Sequence, residues 1–266
     1  MKHLIKIESK ENNLFKETKK LKDRRGRNKN KKYLIEGFRI VQEAFKAGIN
    51  VDRVFVSCSS EDKIEEYLGE YINDTKIYIL KDELLNELCQ TENPQGIVAV
   101  LDIGNSIVNK EGSFYLLCDK VQDPGNLGTI IRTAHAAGVD GIILTKGTVD
   151  VYNPKVIRAT MGSIFYIPII LDDEEYSQTK ELIDQGFSML ATSLQGEKNF
   201  FEEDLTGKII ISMGNEGNGV SEEIYNLSDK KVKIPMPGGA ESLNVSVATA
   251  IILYEKVRQK TVEFIR

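Results

Sequence analysis

The sequence contains few of the residues on which metal and disulfide chemistry depend. It has only two histidines, His3 and His135, and only three cysteines, Cys58, Cys89 and Cys118. Two histidines exclude a histidine-rich metal centre and argue against a Ser/His catalytic triad. An odd number of distant cysteines, each in or beside an apolar segment, predicts buried thiols and not a disulfide framework or a zinc site. We therefore expect chemistry that uses little histidine and no metal.

Long apolar runs are absent as well. No stretch approaches the ~20 residues that a membrane-spanning helix needs. The first residues, MKHLIKIE, lack the apolar core of a signal peptide. We therefore expect a cytoplasmic protein without a membrane partner. Hydrophobic residues at 41% and charged residues at 28% are typical of a soluble globular protein, and 266 residues suffice for one large or two ordinary domains.

Charge is unevenly distributed along the chain. The formal net charge is −5, yet residues 16–32, here called the basic segment, carry ten basic side chains against Glu17 and Asp23. That local charge of +8 leaves −13 for the remainder. Such a segment is commonly a solvated, mobile arm, but with Gly26 and two asparagines it also suits contact with a phosphate backbone. We predict contact with a nucleic acid.

The first part of the chain alternates between predicted helices and strands. Residues 33–48 place Phe38, Val41 and Phe45 at helical spacing and end in glycine, which predicts a helix. The hydrophobic pattern then predicts strands at 53–57, 76–80 and 96–103, with helices at 61–71 and 82–89. This alternation predicts a small α/β sandwich. Turn-forming residues at 102–112 interrupt the pattern and indicate a domain boundary.

The second part continues the alternation. Strands are predicted at 114–118, 141–145, 167–171, 188–192, 208–212 and 231–235, and helices at 127–137, 154–160, 173–184 and 243–254. Ser242 and Asn244 are expected to open the last helix, which is apolar almost all round. The pattern predicts a mostly parallel sheet covered on both faces, with ligands at the carboxyl ends of its strands.

Three turns rich in glycine and asparagine each follow a predicted strand, at residues 119–126, 213–221 and 234–244. Glycine allows a ligand to approach the main chain, proline stiffens the last loop, and a helix start offers unpaired N–H groups. The turns indicate a backbone cradle for a ligand, although Ser and Asn are also ordinary helix caps and an apolar helix is commonly just buried. Neither a P-loop nor a dinucleotide-binding fingerprint occurs, which argues against a nucleotide-binding oxidoreductase.

Three segments resemble the signature motifs of the SpoU/TrmH family, the S-adenosylmethionine-dependent RNA ribose 2′-O-methyltransferases of the SPOUT superfamily. They are DPGNLGTIIRTAHAAG, ISMGNEGNGV and IPMPGGAESLNVSVA, at 123–138, 211–220 and 234–248. Upstream, YLIEGFR and TENPQGIVAV resemble the ribosomal-protein-like RNA-binding domain that many members carry. The resemblance implies four parts: an N-terminal extension (1–20), an RNA-binding substrate domain (21–104), a linker (105–112) and a SPOUT methyltransferase domain (113–266).

The resemblance also implies a deep trefoil knot in the second domain, which general rules of chain topology alone would reject. The knot forms the S-adenosylmethionine pocket, and the cofactor contacts mainly backbone groups. Carried over by position, Thr192, Gly214, Ile234 and Leu243 line this pocket. Catalytic sites in the family are completed across a homodimer. A dimer interface would explain the apolar terminal helix, and burial of that helix inside one monomer explains it equally well.

Methyl transfer to a ribose hydroxyl needs alignment of the hydroxyl with the methyl group and removal of a proton. No metal is required, because the sulfonium leaving group is already activated. By resemblance, Arg132 is the catalytic residue, and Asn126, Glu216, Ser242 and Asn244 organise the site.

Arginine is a poor base, since its ordinary pKa lies above ~12. Three roles for Arg132 therefore stay open: proton acceptor after deprotonation by its surroundings, charged group that binds the adjacent phosphate and orients the hydroxyl, or ion-pair partner of Glu216. Asn126 could be only a turn residue, and no function is expected of His135.

The leading hypothesis is a ribose 2′-O-methyltransferase of large-subunit ribosomal RNA (rRNA). The RNA-binding domain favours rRNA, because relatives directed to transfer RNA (tRNA) more often lack it. Alternatives are a tRNA ribose 2′-O-methyltransferase and a non-catalytic RNA-binding assembly factor.

Overall fold

A computed structural model describes residues 4–71, 75–193 and 198–263 of the chain. The chain divides into two compact units. Unit 1 comprises residues 1–104 together with 152–157, and unit 2 comprises 105–151 and 158–266. The change of unit after Gly104 falls where the predicted linker begins, and the domain limits given above stay predictions.

Unit 1 contains a five-stranded mixed sheet flanked by short helices. Its elements in chain order are β1 (Leu4–Ile7), α1 (Asn13–Lys20), α2 (Arg24–Asn30), β2 (Lys32–Glu36), α3 (Phe38–Lys46), β3 (Val51–Ser57), α4 (Lys63–Leu68), β4 (Ile77–Leu80), α5 (Asp82–Leu88) and β5 (Ile97–Asp102). The strand order is β1-β4-β3-β5-β2. Strands β1, β4 and β3 are parallel, and β5 runs antiparallel to both β3 and β2.

Two segments of unit 1 differ from the sequence-based expectation. Residues 33–36, predicted as the start of a helix, belong to β2, which pairs with β5 in the register Tyr33↔Leu101. Three consecutive buried residues suit a strand covered on both faces, and a short apolar run of this kind does not distinguish strand from helix. The predicted N-terminal extension also contributes to unit 1, because β1 pairs with β4 and Phe15 of α1 is 1% exposed.

The basic segment is not a mobile arm, because most of it forms α1, α2 and the start of β2. Part of its charge is used internally. Lys22 Nζ donates to the carbonyl oxygens of Glu87 and Cys89, both at 2.8 Å. Arg27 is 5% exposed and donates to the carbonyl oxygens of Leu21 and Lys22. Five basic side chains are exposed and form no ion pair with any described residue: Lys20, Arg24, Arg25, Lys29 and Lys31.

Unit 2 contains a seven-stranded parallel sheet, as predicted. Its elements are β6 (Phe114–Cys118), α6 (Pro124–Ala136), β7 (Gly141–Leu144), α7 (Pro154–Thr160, whose first residues count with unit 1), β8 (Ile169–Leu171), α8 (Ser177–Asp184), β9 (Ser188–Thr192), β10 (Lys198–Asn199), β11 (Ile209–Met213), α9 (Glu222–Leu227), β12 (Lys230–Lys233) and α10 (Val245–Glu263). The strand order is β10-β12-β9-β11-β6-β7-β8.

The strand order of unit 2 determines where the predicted site forms. Strands β12, β9, β11 and β6 are neighbours and parallel, so their carboxyl ends lie along one edge of the sheet. Every residue of β6 and of β11 is buried, as expected for central parallel strands. The mixed α/β class is confirmed, and the trefoil knot stays a prediction.

Helix boundaries in unit 2 differ from the predicted ones at two places that matter for the site. Helix α6 begins at Pro124, three residues early, because Asp123 caps it and Pro is well suited to the first helical position. Asn126 therefore lies in the first turn of a helix and not in the loop before it. Helix α10 begins at Val245, so Ser242 precedes the helix instead of opening it.

All three cysteines are free. Burial raises the pKa of Cys89 and of Cys118 to about 12, which fits packed, unreactive thiols. Cys58 is exposed, and the prediction of a buried thiol is wrong there, because Cys58 lies in a short 3-10 turn after β3. Among the described helices, none has both the length and the apolarity needed to cross a membrane.

Candidate active site at the carboxyl edge of the parallel sheet

Three of the predicted site residues meet in unit 2 in one chain of hydrogen bonds. Asn126 Nδ2 donates to Glu216 Oε1 at 3.1 Å, and Asn244 Nδ2 donates to Asn126 Oδ1 at 2.9 Å. Because an ionised carboxylate only accepts, Glu216 determines which way the amide of Asn126 points. Because Asn244 bonds to Asn126 through Nδ2, its Oδ1 can cap α10. This oxygen accepts hydrogen bonds from the backbone N–H and from the hydroxyl of Ser246.

Glu216 also holds the start of α6. Its carboxylate accepts the backbone N–H groups of Gln122 at 3.2 Å and Asp123 at 3.1 Å. Burial raises the pKa of Glu216, but the hydrogen bonds from Asn126 and from the backbone N–H groups of Glu216, Gln122 and Asp123 outweigh it, so that the pKa lies below the ordinary value. A carboxylate with so many donors is a poor proton acceptor. Its hydrogen bonds instead hold the start of α6 and the amide of Asn126 in place.

The turn that carries Glu216 is closed by Asn215. Its Nδ2 donates to the carbonyl oxygen of Lys120 at 2.9 Å, and its Oδ1 accepts the N–H groups of Gly217 and Asn218. At Gly214, a Cβ atom would lie 2.0 Å from the carbonyl carbon of Gly219, so that only glycine fits. Sequence reasoning missed Asn215. Its signal was asparagine inside a glycine-rich turn, where the side chain commonly bonds to its own backbone.

Asp119 is a second residue that sequence reasoning missed. It follows β6 directly, is fully buried, and accepts hydrogen bonds from Thr145 Oγ1 at 2.9 Å and from the N–H of Ser221 at 2.7 Å. A buried carboxylate of this kind ties the end of β6 to the residues after the Glu216 turn. The available signal was an acidic residue directly after an apolar strand.

The predicted cofactor residues lie at the same edge of the sheet. Thr192 ends β9, and its Oγ1 donates to the carbonyl oxygen of Ser212 at 2.9 Å. Ile234 and Leu243 are half-buried. Within 236–243, Gly239 is the only residue whose backbone N–H donates to another described residue. Apolar side chains beside unused backbone groups fit the S-adenosylmethionine implied by the resemblance, since such groups require partners when a ligand covers them.

Arg132 and Ser242 are not part of the hydrogen-bonded chain. Both are exposed, and neither forms a hydrogen bond or an ion pair with a described residue. Arg132 is therefore not the ion-pair partner of Glu216. Arg132 follows Asn126 by six residues on α6, which corresponds to about 9 Å along the helix axis and a rotation of about 240°. The Arg132 side chain therefore projects from another side of α6 than the Asn126 side chain does. His135 stacks on Tyr166, with ring centroids 5.2 Å apart and planes 2° from parallel.

Several large apolar side chains remain exposed on unit 2. Two of them, Val247 (49% exposed) and Tyr254 (51%), lie on α10. Two others, Met161 (71%) and Tyr166 (45%), flank the short segment Ser163–Phe165, which packs on α6. Helices α6 and α10 pack against each other. In the described part of the chain, no group of three or more His, Cys, Asp or Glu residues is placed to hold a metal ion.

Comparison with protein-family models finds two matches. Residues 113–254 match the SpoU rRNA Methylase family, and residues 12–99 match the MRM3-like substrate binding domain. A curated relative, the 23S rRNA (guanosine(2553)-2′-O)-methyltransferase RlmP of Bacillus subtilis, is 38% identical over 93% of this chain and 97% of its own length.

Two solved structures with bound S-adenosylmethionine (AdoMet) are similar over most of the chain. An AdoMet-bound rRNA methyltransferase from Sinorhizobium meliloti has a TM-score of 0.82 at 28% identity, covering 96% of this chain and 98% of the other. The SpoU methyltransferase AviRb from Streptomyces viridochromogenes, in complex with AdoMet, has a TM-score of 0.83 at 29% identity, covering 94% of this chain and 98% of the other.

Proposed function

Because the chain belongs to the SpoU rRNA methylase family, we propose that it transfers the methyl group of S-adenosylmethionine to a ribose 2′-OH of large-subunit (23S-type) rRNA. The observation that carries the proposal is the chain Glu216–Asn126–Asn244 at the carboxyl edge of the parallel sheet. It joins one residue from each of the three motifs. A relative that covers nearly the whole chain is named for the same reaction on 23S rRNA.

The hydrogen bonds suggest what each residue does. Glu216 holds the first turn of α6, and through Asn126 and Asn244 it sets the start of α10 relative to that turn. Asn126 thereby holds a fixed amide near the 236–243 loop, where the ribose is to be aligned with the methyl group. Ser242 is free to bond to RNA or cofactor. S-adenosylmethionine supplies an activated methyl group, and Thr192, Gly214, Ile234 and Leu243 shape its pocket.

Arg132 serves as the catalytic residue by binding the phosphate next to the target ribose and orienting the 2′-hydroxyl. Its exposed guanidinium has no partner among the described residues, so its planar fork is available for two parallel hydrogen bonds to a phosphate. Arg132→Lys is therefore expected to recover little of the activity lost in Arg132→Ala. A rate–pH profile that keeps its shape in Arg132→Lys, at near wild-type rate, contradicts both fork-shaped binding and a base role.

The enzyme acts as a homodimer through the methyltransferase domain. Exposed Val247 and Tyr254 on α10 and exposed Met161 and Tyr166 near α6 supply an apolar face. Arg132 projects away from Asn126 and can reach the partner's site. Mixing Arg132→Ala with Asn126→Ala protomers is then expected to restore part of the activity, and sedimentation of the wild type should give twice the 29.9 kDa of one chain.

The remaining assignments follow the family. Residues 21–104 bind RNA, 105–112 link the domains, and 113–266 form the SPOUT methyltransferase domain with a deep trefoil knot through which the last helix passes. The protein works in the cytoplasm, where rRNA is made and modified in bacteria.

The test uses purified protein, 23S rRNA either free or in partly assembled particles, and S-adenosylmethionine with a labelled methyl group. Alkali-resistant linkages are then mapped, beginning at the position equivalent to the guanosine named for the Bacillus subtilis relative. A new 2′-O-methyl group that disappears in Arg132→Ala supports the proposal. Methyl transfer to tRNA but not to rRNA would identify tRNA as the substrate. Failure to bind the cofactor favours a non-catalytic assembly factor.

A further inference from the structure

Unit 1 contains a cavity of about 750 Å³ at the ends of several of its elements. The end of β3, the start of α3, one side of α4, one side of α5 and the loop 92–96 form its walls. This volume lies in the range of pockets that enclose a small molecule. The lining residues that matter here are Arg39, Ser60, Lys63, Tyr67, Asn86 and Gln95.

The floor of the cavity contains a serine hydroxyl that is open to the cavity. Ser60 is 6% exposed, lines the cavity, and forms no hydrogen bond with any described residue. The neighbouring Ser57 hydroxyl is shared with Ser59 at 3.1 Å. A Cβ at Gly96, where φ is +87°, would lie 2.2 Å from Ser60 Oγ. Glycine at this position therefore leaves the Ser60 hydroxyl accessible from the cavity, where it can donate to or accept from a ligand.

The loop over the cavity is held at both ends. The Glu36 carboxylate accepts from the backbone N–H of Gln90 at 3.1 Å and from the Thr91 hydroxyl. At the other end, the N–H of Ser57 donates to the carbonyl oxygen of Gly96 at 2.9 Å. The cavity is therefore formed before any ligand arrives.

Its chemistry suits an unpaired nucleotide. The half-buried ring of Tyr67 lies beside the buried Phe38, with ring centroids 5.1 Å apart, and Lys63 Nζ lies 5.7 Å from the centroid of the Phe38 ring. The amides of Asn86, Asn93 and Gln95 are exposed and have no hydrogen-bond partner among the described residues. Aromatic rings offer stacking to a base, and amides can both donate to and accept from its edge. Arg39 and Lys63, exposed at the rim and without ion pairs to described residues, can meet a phosphate.

The charges of the lining favour RNA over a free nucleotide. Three carboxylates, Glu66, Asp82 and Glu92, accompany the two cations, so the cavity alone attracts anions poorly. The basic segment adjoins the same loop, because Gln90 Nε2 donates to the carbonyl oxygen of Lys22 and Lys22 Nζ to that of Cys89. Its five exposed cations can hold the flanking phosphates.

We propose that this cavity takes one unpaired nucleotide, flipped out of the RNA substrate, while the exposed cations of the basic segment bind the phosphates beside it. The inference rests on the proposed function, since it gives the substrate a second point of recognition apart from the methylated ribose. Asn86, Ser60 and Gln95 contact the base, and Arg39 and Lys63 its phosphate.

The test compares full-length Asn86→Ala and Asn86→Trp with Asn226→Ala, a control at an exposed helical asparagine of unit 2. Binding of 23S rRNA is measured directly by filter retention, and methyl transfer is measured separately. Base contacts of this kind change affinity by roughly tenfold each. We therefore expect about tenfold weaker rRNA binding and a higher KM for both variants, with kcat, cofactor affinity and melting temperature unchanged.

The two proposals fail in different ways. If wild-type protein binds rRNA but transfers no methyl group to it, the proposed function fails, and the binding comparison still decides the role of the cavity. Wild-type rRNA affinity in Asn86→Trp overturns the cavity proposal. Saturable binding of free nucleoside monophosphates that Asn86→Trp abolishes, without any change in rRNA binding, also overturns it and assigns the cavity to a free nucleotide.

Discussion

The cavity of unit 1 and the active-site edge of unit 2 are built in opposite ways. In unit 2, the polar side chains of Glu216, Asn126 and Asn244 bond to one another and to backbone, whereas most backbone N–H groups of the 236–243 loop donate to no described residue. In unit 1, the backbone of the loop is held, and side chains such as Asn86 and Ser60 form no hydrogen bond with a described residue. Unit 2 thus depends on backbone shape, and unit 1 depends on individual side chains.

The largest effect is expected from a substitution that disrupts the backbone of unit 2. In Gly214→Ala, the new Cβ meets the backbone of Gly219 and Val220 at 2.0 and 2.1 Å, and backbone cannot yield as a flexible side chain does. We expect loss of cofactor binding and of methyl transfer, with destabilisation of about 3 kcal/mol. Gly217→Ala is the matched control in the same turn, since its Cβ meets only Asn215 Oδ1, at 3.6 Å. Calorimetric cofactor titration and thermal denaturation check both variants.

The next largest effect is expected from a substitution that removes one charge and keeps the shape of the side chain. Glu216→Gln retains the side-chain volume but replaces the carboxylate with an amide. The carboxylate accepts hydrogen bonds from the backbone N–H groups of Gln122 and Asp123 and from the side chain of Asn126. A hydrogen bond to a charged group contributes about 1.5–3 kcal/mol, so we expect kcat to fall by roughly 10- to 100-fold while cofactor affinity changes little. Single-turnover kinetics separates the two. Unchanged kcat contradicts an organising role for the carboxylate.

The pH dependence of Glu216 follows from the direction of its shift. Its folded-state pKa is lowered, so its contribution to stability is present above the unfolded-state pKa and is lost as pH falls through the folded-state value. The stability difference between wild type and Glu216→Gln, measured by urea unfolding at a series of pH values, should therefore shrink on acidification. A difference that grows toward acid pH contradicts this sign.

In unit 1, the next prediction separates exposed cations from internal ones. Arg24→Ala/Arg25→Ala removes two charges that form no ion pair with a described residue, and we expect the salt dependence of rRNA binding to lose about 2 units of slope with no change in melting temperature. Lys22→Ala is the contrasting variant, because Lys22 holds the carbonyl oxygens of Glu87 and Cys89. It should lower the melting temperature. An unchanged slope in the double variant excludes Arg24 and Arg25 from RNA contact.

The smallest effect concerns a surface ion pair of unit 1. Hydrogen bonds from Lys10 and Lys19 lower the pKa of Glu87 from 4.5 to about 2. Its contribution is present above the unfolded-state pKa and disappears as pH falls toward 2. Urea unfolding of Glu87→Gln should show a small loss of stability at pH 6 that vanishes near the lower value. Glu61→Gln, at an exposed position without an ion pair to a described residue, serves as control.

Local sequence rules predicted much of the fold. The strand Phe114–Cys118 and the helix starting at Pro154 were predicted at their observed positions, because a central parallel strand is a continuous apolar run and proline suits a helix start. The same rules failed where local signals are ambiguous. Residues 32–36 became an edge strand, Cys58 is exposed, and α6 starts before Asn126. Pairing with the distant β5 decided the first case, whereas the exposure of Cys58 follows from a short 3-10 turn and the start of α6 from its adjacent cap, Asp123.

The candidate site was predictable in part. Three motifs named Asn126, Glu216 and Asn244, and the structure joins them by hydrogen bonds, whereas Ser242 and Arg132 have no partner among the described residues. Asp119, Asn215 and the cavity of unit 1 were not predicted. Their partners lie far away in sequence, as in the bond of Asp119 to Ser221 or that of Gln90 to Glu36.

By itself, the sequence determined the α/β class, the order of the elements, the glycine-rich turns and the family resemblance, because each depends on residues close together in the chain. Tertiary structure alone decided that β6, β11, β9 and β12 are neighbours, that the Glu216 carboxylate faces two asparagines, and that half of the basic segment bonds internally. Hydrogen bonds and burial between distant residues determine these features. They depend on the strand order, which local periodicity does not specify.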